Sequence, residues 1–115
     1  MITNLTRQTT VARTPVSATT FFPRLRGMIG RRFAGFDAMV FPRCDGVHTC
    51  FMGIDLDLVY VDRDGQVCAI CAGLRPWRMH RAAGAATVIE LPAGALAASG
   101  TQPGDRLDLG PAATT

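Results

Sequence analysis

The sequence predicts a mainly β fold, a compact single-domain barrel or sandwich with two short helices. Three observations carry this. Short apolar runs recur roughly every 8–15 residues and each ends at a Gly or Pro turn. The long helices that alternate with strands in a parallel α/β fold have no counterpart here. At 115 residues and 48% hydrophobic content, the chain can bury one core and has no room for a second. The expected boundaries are a flexible or first-strand N-terminus at 1–12, one domain at 13–110 and a tail at 111–115.

Residues 1–12 are polar and threonine-rich, as in a frayed end or a lone first strand. Thr20 can cap a short helix over residues 21–30, with Pro23 in its first turn, where a missing N–H costs nothing. Leu25, Met28 and Ile29 then form the apolar face, and Gly30 ends it. From Met39 the period becomes two. Leu56, Leu58 and Tyr60 share one strand face, and Asp57, Val59 and Val61 the other. Asp62-Arg63-Asp64-Gly65 makes a type I turn closed by a positive φ at Gly65, and residues 66–72 return as the partner strand. Both faces of this hairpin are apolar near the turn, which predicts a central ribbon covered on both sides. Residues 73–78 form a loop carrying Trp77, the only tryptophan. Residues 87–91 are a strand stopped by Pro92, 93–98 a second short helix closed by Gly100, and 106–109 a last strand.

All twelve basic residues are arginine, the composition of a GC-rich bacterial genome. Residues 1–43 hold seven arginines against Asp37 alone, giving +6; residues 44–115 hold five against eight acids, giving −3, which sums to the overall +3. A basic half suits an acidic partner, but aromatic residues do not alternate with the arginines as they do on a nucleic-acid surface, so nucleic acid is not the expected ligand. No apolar run approaches the roughly 18 residues of a membrane span, and no apolar leader follows Met1. The expected location is cytoplasmic, with the four cysteines reduced.

Potentially reactive side chains concentrate in residues 41–57, which hold one of two histidines, two of four cysteines and three of eight aspartates. On a strand, His48, Cys50 and Met52 share a face; His48 is either a base or ligand there or a histidine that locks a turn. Asp55 and Asp57, also on one face, could do acid/base work or hold an ion, or could bond to turn amides as aspartates at strand starts usually do. Cys68 and Cys71 lie at i and i+3 of an apolar strand and read as ordinary buried thiols. Cys44, Cys50 and His48 fall one short of a zinc set, so no metal and no cofactor is assigned. Trp77 between Arg75 and Arg78 is either a ligand contact or a lid over one end of the domain. The candidate site is therefore His48, Thr49, Met52, Asp55, Asp57, Arg75, Trp77 and Arg78.

Several motifs together resemble the bacterial and archaeal family known as domain of unknown function 192. These are Phe41-Pro42-x-Cys44-x-x-Val47-His48-Thr49-x-Phe51-Met52, then Asp57, then Val61-Asp62-Arg63-Asp64-Gly65. Leu74-Arg75-Pro76-Trp77-Arg78, Val88-Ile89-Glu90-Leu91-Pro92-Ala93-Gly94 and Gly104-Asp105-Arg106-Leu107 follow in the same order, and Arg24–Arg31 precede them. The resemblance implies a small β-rich domain and no particular activity. His48 and Asp57 belong to the shared pattern, whereas Asp55 is particular to this chain. The functional expectation is a non-catalytic binding or accessory module for a protein or small-molecule ligand. The alternative is a small metal-dependent or hydrolase-like enzyme using His48 with Asp55 or Asp57.

Overall fold

The computed structural model describes residues 1–17, 35–48 and 54–110. Ten strands order along the chain as β1 (Ile2–Asn4), β2 (Thr9–Ala12), β3 (Pro15–Ser17), β4 (Ala38–Pro42), β5 (Gly46–His48), β6 (Leu56–Val61), β7 (Val67–Leu74), β8 (Met79–Arg81), β9 (Thr87–Pro92) and β10 (Leu107–Asp108). The described residues contain one helix, α1 (Ala95–Ser99). The helix expected over 21–30 lies outside the described residues.

A five-stranded sheet, ordered β3-β4-β9-β6-β7, forms the middle of the molecule. It is antiparallel except for the β3–β4 pair. A three-stranded sheet, β10-β1-β2, and a two-stranded ribbon, β5-β8, complete the fold. Among the described residues the sheets stack and do not close into a barrel. Residues 1–12, expected as a frayed end or lone strand, instead build two of the three strands of the smaller sheet, with Ile2 and Asn4 fully buried.

The central strand β6 separates two apolar layers, and its alternation is the one the sequence predicts. Val59 and Val61 join Ile2, Val11, Val40, Ile89, Leu91, Leu96 and Leu107 in the layer beneath the smaller sheet and α1. Leu56, Leu58 and Tyr60 join Met39, Phe41 and Val88 in the opposite layer, where Val47 and Ala82 pack from the ribbon side. Burying a side chain of this size contributes about 1.5–3 kcal/mol, so these rows dominate the stability of the sheet.

The β6–β7 hairpin turns where the sequence places it. Asp62 Oδ1 accepts the amides of Asp64 (2.8 Å) and Gln66 (3.0 Å), and Gly65 takes φ 86°, a conformation a Cβ would strain. The expectation of a ribbon covered on both sides holds only for β6. β7 is a sheet edge with Cys68, Ala72 and Gly73 exposed. Two register shifts interrupt its pairing with β6, each adding one residue to β7: Cys68 in one, and one residue between Cys71 and Leu74 in the other. Cys68 is thus exposed and not a buried thiol, because the bulge turns it off the packed face.

A polar knot ties the β1–β2 turn to the segment that precedes β10. Asn4 Nδ2 donates to Asp105 Oδ2 at 2.9 Å and to Thr101 Oγ1 at 3.2 Å, and Arg7 Nε reaches the same Asp105 oxygen at 2.6 Å. Both Asn4 and Asp105 are buried, so these bonds satisfy groups that would otherwise cost about 1–3 kcal/mol each to desolvate.

Candidate functional site

Asp57 is buried at 2% exposure on β6, and both of its oxygens are used. Oδ1 accepts the Gly73 amide at 2.9 Å, inside the second β7 bulge, where Gly73 takes φ 67°. Oδ2 accepts the amides of Gly94 and Leu96, both at 3.0 Å. Gly94 precedes α1 and has no side chain with which to cap it, so a carboxylate from a distant strand satisfies those first amides. The geometry is that of a structural brace joining β6, β7 and α1. Asp55 is exposed and precedes β6, so the two aspartates occupy different environments and do not form a paired carboxylate face.

His48 closes β5, its backbone opposite Met79 of β8. Thr49 and Met52, with Cys50, lie outside the described residues. Arg75, Trp77 and Arg78 fall in the β7–β8 connection. Trp77 is 60% exposed with φ 62°, so the indole is not a buried lid, and Met79, two residues on, is 77% exposed. Arg78 Nη1 contacts the carbonyls of Pro76 and Trp77 at 3.4 Å, which curls the loop on itself. Arg81 pairs with Asp45 at 3.0 Å across the ribbon; both side chains are at least half exposed, where such pairs contribute about 0–1 kcal/mol. No cluster of three or more His, Cys, Asp or Glu side chains able to hold a metal occurs among the described residues.

A second group of titratable side chains lies on the opposite face of the central sheet. Cross-strand register aligns Met39, Glu90, Leu58 and Cys71 in one row and Phe41, Val88, Tyr60 and Ala69 in the next. Glu90 is 1% exposed in this apolar layer and its Oε2 has no hydrogen-bond partner. Burial pushes its carboxyl up to about 8. Tyr60, fully buried, hydrogen-bonds through its hydroxyl to His80 Nδ1 at 2.8 Å, and the two rings stack with centroids 5.4 Å apart. Burial raises the phenol well above its ordinary range, and the nearby Cys71, Cys44, Glu90 and Asp45 raise it further.

Glu90, Tyr60 and His80 were absent from the sequence-derived site. An acid inside Val88-Ile89-Glu90-Leu91 is a readable signal, since a strand buried on both faces offers a carboxylate no water. The Tyr60–His80 contact depends on the β5–β8 ribbon and has no local signal.

The sequence matches the DUF192 family, described as Uncharacterized ACR, over residues 3–109. The chain belongs to this family. Among solved structures, the DUF192 chain is similar to a protein of unknown function from Novosphingobium aromaticivorans DSM 12444. The two are 28% identical over 82% of this chain and 73% of that one, with a TM-score of 0.69. It is also similar to a candidate transcription regulator from Sinorhizobium meliloti 1021, 25% identical over 82% of this chain and 79% of that one, with a TM-score of 0.71. No curated protein matches the DUF192 chain. No helix among its described residues is long and apolar enough to cross a membrane.

Proposed function

We propose that this DUF192 chain is a non-catalytic binding module that presents the Arg75–Arg78 connection and the adjoining Met79 to an acidic partner in the cytoplasm. The observation that carries this is the exposure of Trp77 and Met79, the two most exposed large apolar side chains among the described residues. Single exposed apolar residues are ordinary, but an indole and a thioether two residues apart, in a segment that carries guanidiniums, have the composition of an interface centre. The left-handed backbone at Trp77 adds to this, because a non-glycine residue there costs of order 1 kcal/mol and is held by its surroundings. The partner is a protein segment or small molecule carrying carboxylate or phosphate groups that guanidiniums can fork.

The alternative, an enzyme using His48 with Asp55 or Asp57, has less support. Asp57 spends both oxygens on backbone amides, which leaves Asp55 as its only carboxylate facing solvent. Trp77, as the sole indole, is its own reporter for the binding reading. Titrating poly-glutamate into the protein should quench and shift its emission, with affinity falling as salt rises. Arg75→Gln combined with Arg78→Gln, which keeps the indole as reporter, should abolish the response to poly-glutamate. A single-stranded oligothymidine arm distinguishes a nucleic-acid ligand, the reading that the Sinorhizobium neighbour's name suggests. Unchanged emission at low salt with every acidic probe counts against the proposal.

A further inference from the structure

The fold holds one carboxyl group for which it has no use. Glu90 lies mid-strand in β9 between Met39 of β4 and Leu58 of β6, its Oε2 unpartnered within the apolar layer. A glutamine would fill the same volume and could not ionise, so neither packing nor sheet register calls for an acid here. An ionisable side chain kept in a desolvated layer without a counter-charge is characteristic of sites that bind or react. Its surroundings are asymmetric in a way that points to a ligand. β4 presents Met39 and β3 presents Val16, both apolar. On the other side, β6 presents Tyr60, β7 presents Cys71, and the ribbon side presents His80 and Cys44, with Asp45 beyond them. None of these described groups is a fixed cation. Along this side Cys44, Val47, Cys71 and Leu74 pack on the layer and are themselves half-buried, so they are the described residues through which it meets solvent.

We propose that this layer is a binding site for a small organic ammonium, its charge held by the Glu90 carboxylate and its apolar body lying against Met39, Leu58 and Tyr60. The chemistry follows from what the carboxyl lacks. A ligand that brought only apolar surface would leave Oε2 unsatisfied, and an anion would oppose ionisation of the acid. An ammonium supplies both a donor and the missing counter-charge. Because burial keeps the empty site protonated at neutral pH, binding expels one proton to solvent as the carboxylate forms. Affinity therefore climbs by about tenfold per pH unit below pH 8 and levels off above it.

The test uses benzylammonium as probe and benzyl alcohol as its uncharged counterpart, on the whole chain, by calorimetry from pH 6 to 9. The expected result is binding of the ammonium with the stated pH slope, at least tenfold weaker binding of the alcohol, and at least tenfold loss in Glu90→Gln. Glu90 is the only glutamate in the chain, so 13C labelling of glutamate carboxyls gives a single reporter that needs no variant. Its titration midpoint should fall when benzylammonium is added. A carboxyl titration unmoved by the amine, or equal binding by wild type and Glu90→Gln, overturns the proposal and leaves Glu90 a neutral acid of the core. Neither outcome bears on the Trp77 surface, which lies outside this layer.

Discussion

Asp57 accepts the amide of Leu96 at 3.0 Å across 39 residues of chain, and so serves as the capping side chain that Gly94 cannot be. The same carboxylate holds the bulged Gly73 amide of β7. One side chain thus sets the position of α1 and of the strand leading to the Trp77 connection.

Removing it should be costly. Asp57→Ala leaves three backbone amides without their acceptor, and the expected loss is about 4 kcal/mol, or roughly 15 °C in melting temperature. Asp57→Asn keeps a single carbonyl oxygen and should fall between the two. Thermal melts of the three proteins check this; a loss under about 1 kcal/mol for the alanine variant would mean that the brace carries little of the stability.

Glu90 should make stability depend on pH with a sign opposite to that of an ion-paired acid. Its carboxyl titrates near 4.5 unfolded and about 8 folded, so between these values the folded state holds the extra proton. Its contribution is fully present below pH 4.5 and declines as pH rises toward 8, by about 1.4 kcal/mol per unit. Urea unfolding of wild type and Glu90→Gln at pH 5 and pH 8 reads this directly. The glutamine variant should gain on wild type by a few kcal/mol as pH rises. Parallel behaviour of the two proteins would show that Glu90 is not held neutral.

Tyr60 is the only tyrosine, so alkaline difference absorbance reports one phenol. Burial, then the neighbouring Cys71 and Cys44 and the two nearby carboxyls, hold it protonated well beyond the ordinary tyrosine range. The phenolate band should appear only when the protein unfolds. Tyr60→Phe should cost about 1 kcal/mol, the value of its bond to His80, read by urea unfolding.

Cys68 should be accessible yet slow to react. It is exposed at the first β7 bulge, but partial burial of the thiol and the nearby Asp62 raise its ionisation above the ordinary cysteine value. Partial burial, with Asp57 behind it, does the same for Cys71. Because the thiolate is the nucleophile, iodoacetamide labelling followed by mass spectrometry should give little modification of either residue at pH 7 and much more at pH 9.

The local parts of this fold were legible in the sequence. A period of two on either side of Asp62-Arg63-Asp64-Gly65 specifies the β6–β7 hairpin, and the split of β6 into two faces follows from the same alternation. Strand order was not legible. Whether β7 is covered depends on what pairs beyond it, and that decision involves residues far away in sequence. The three- and four-residue strands at the N-terminus are too short for a period to show. For the site, the Asp55–Asp57 pairing assumed a strand running through both positions, and β6 begins between them at Leu56. Glu90 was visible as an acid among apolar neighbours, but its layer became known only from the register with Met39 and Leu58.

The pairing of β1 with β10, and the Asn4–Asp105 bond across 101 residues, also govern when the molecule can fold. During synthesis β1 must wait for β10, about a hundred residues later in the chain. Until then the layer that holds Ile2 and Leu96 lacks Leu107. A contact this distant in sequence has to be made late in folding, so β1 carries an unpaired edge until β10 has been synthesised.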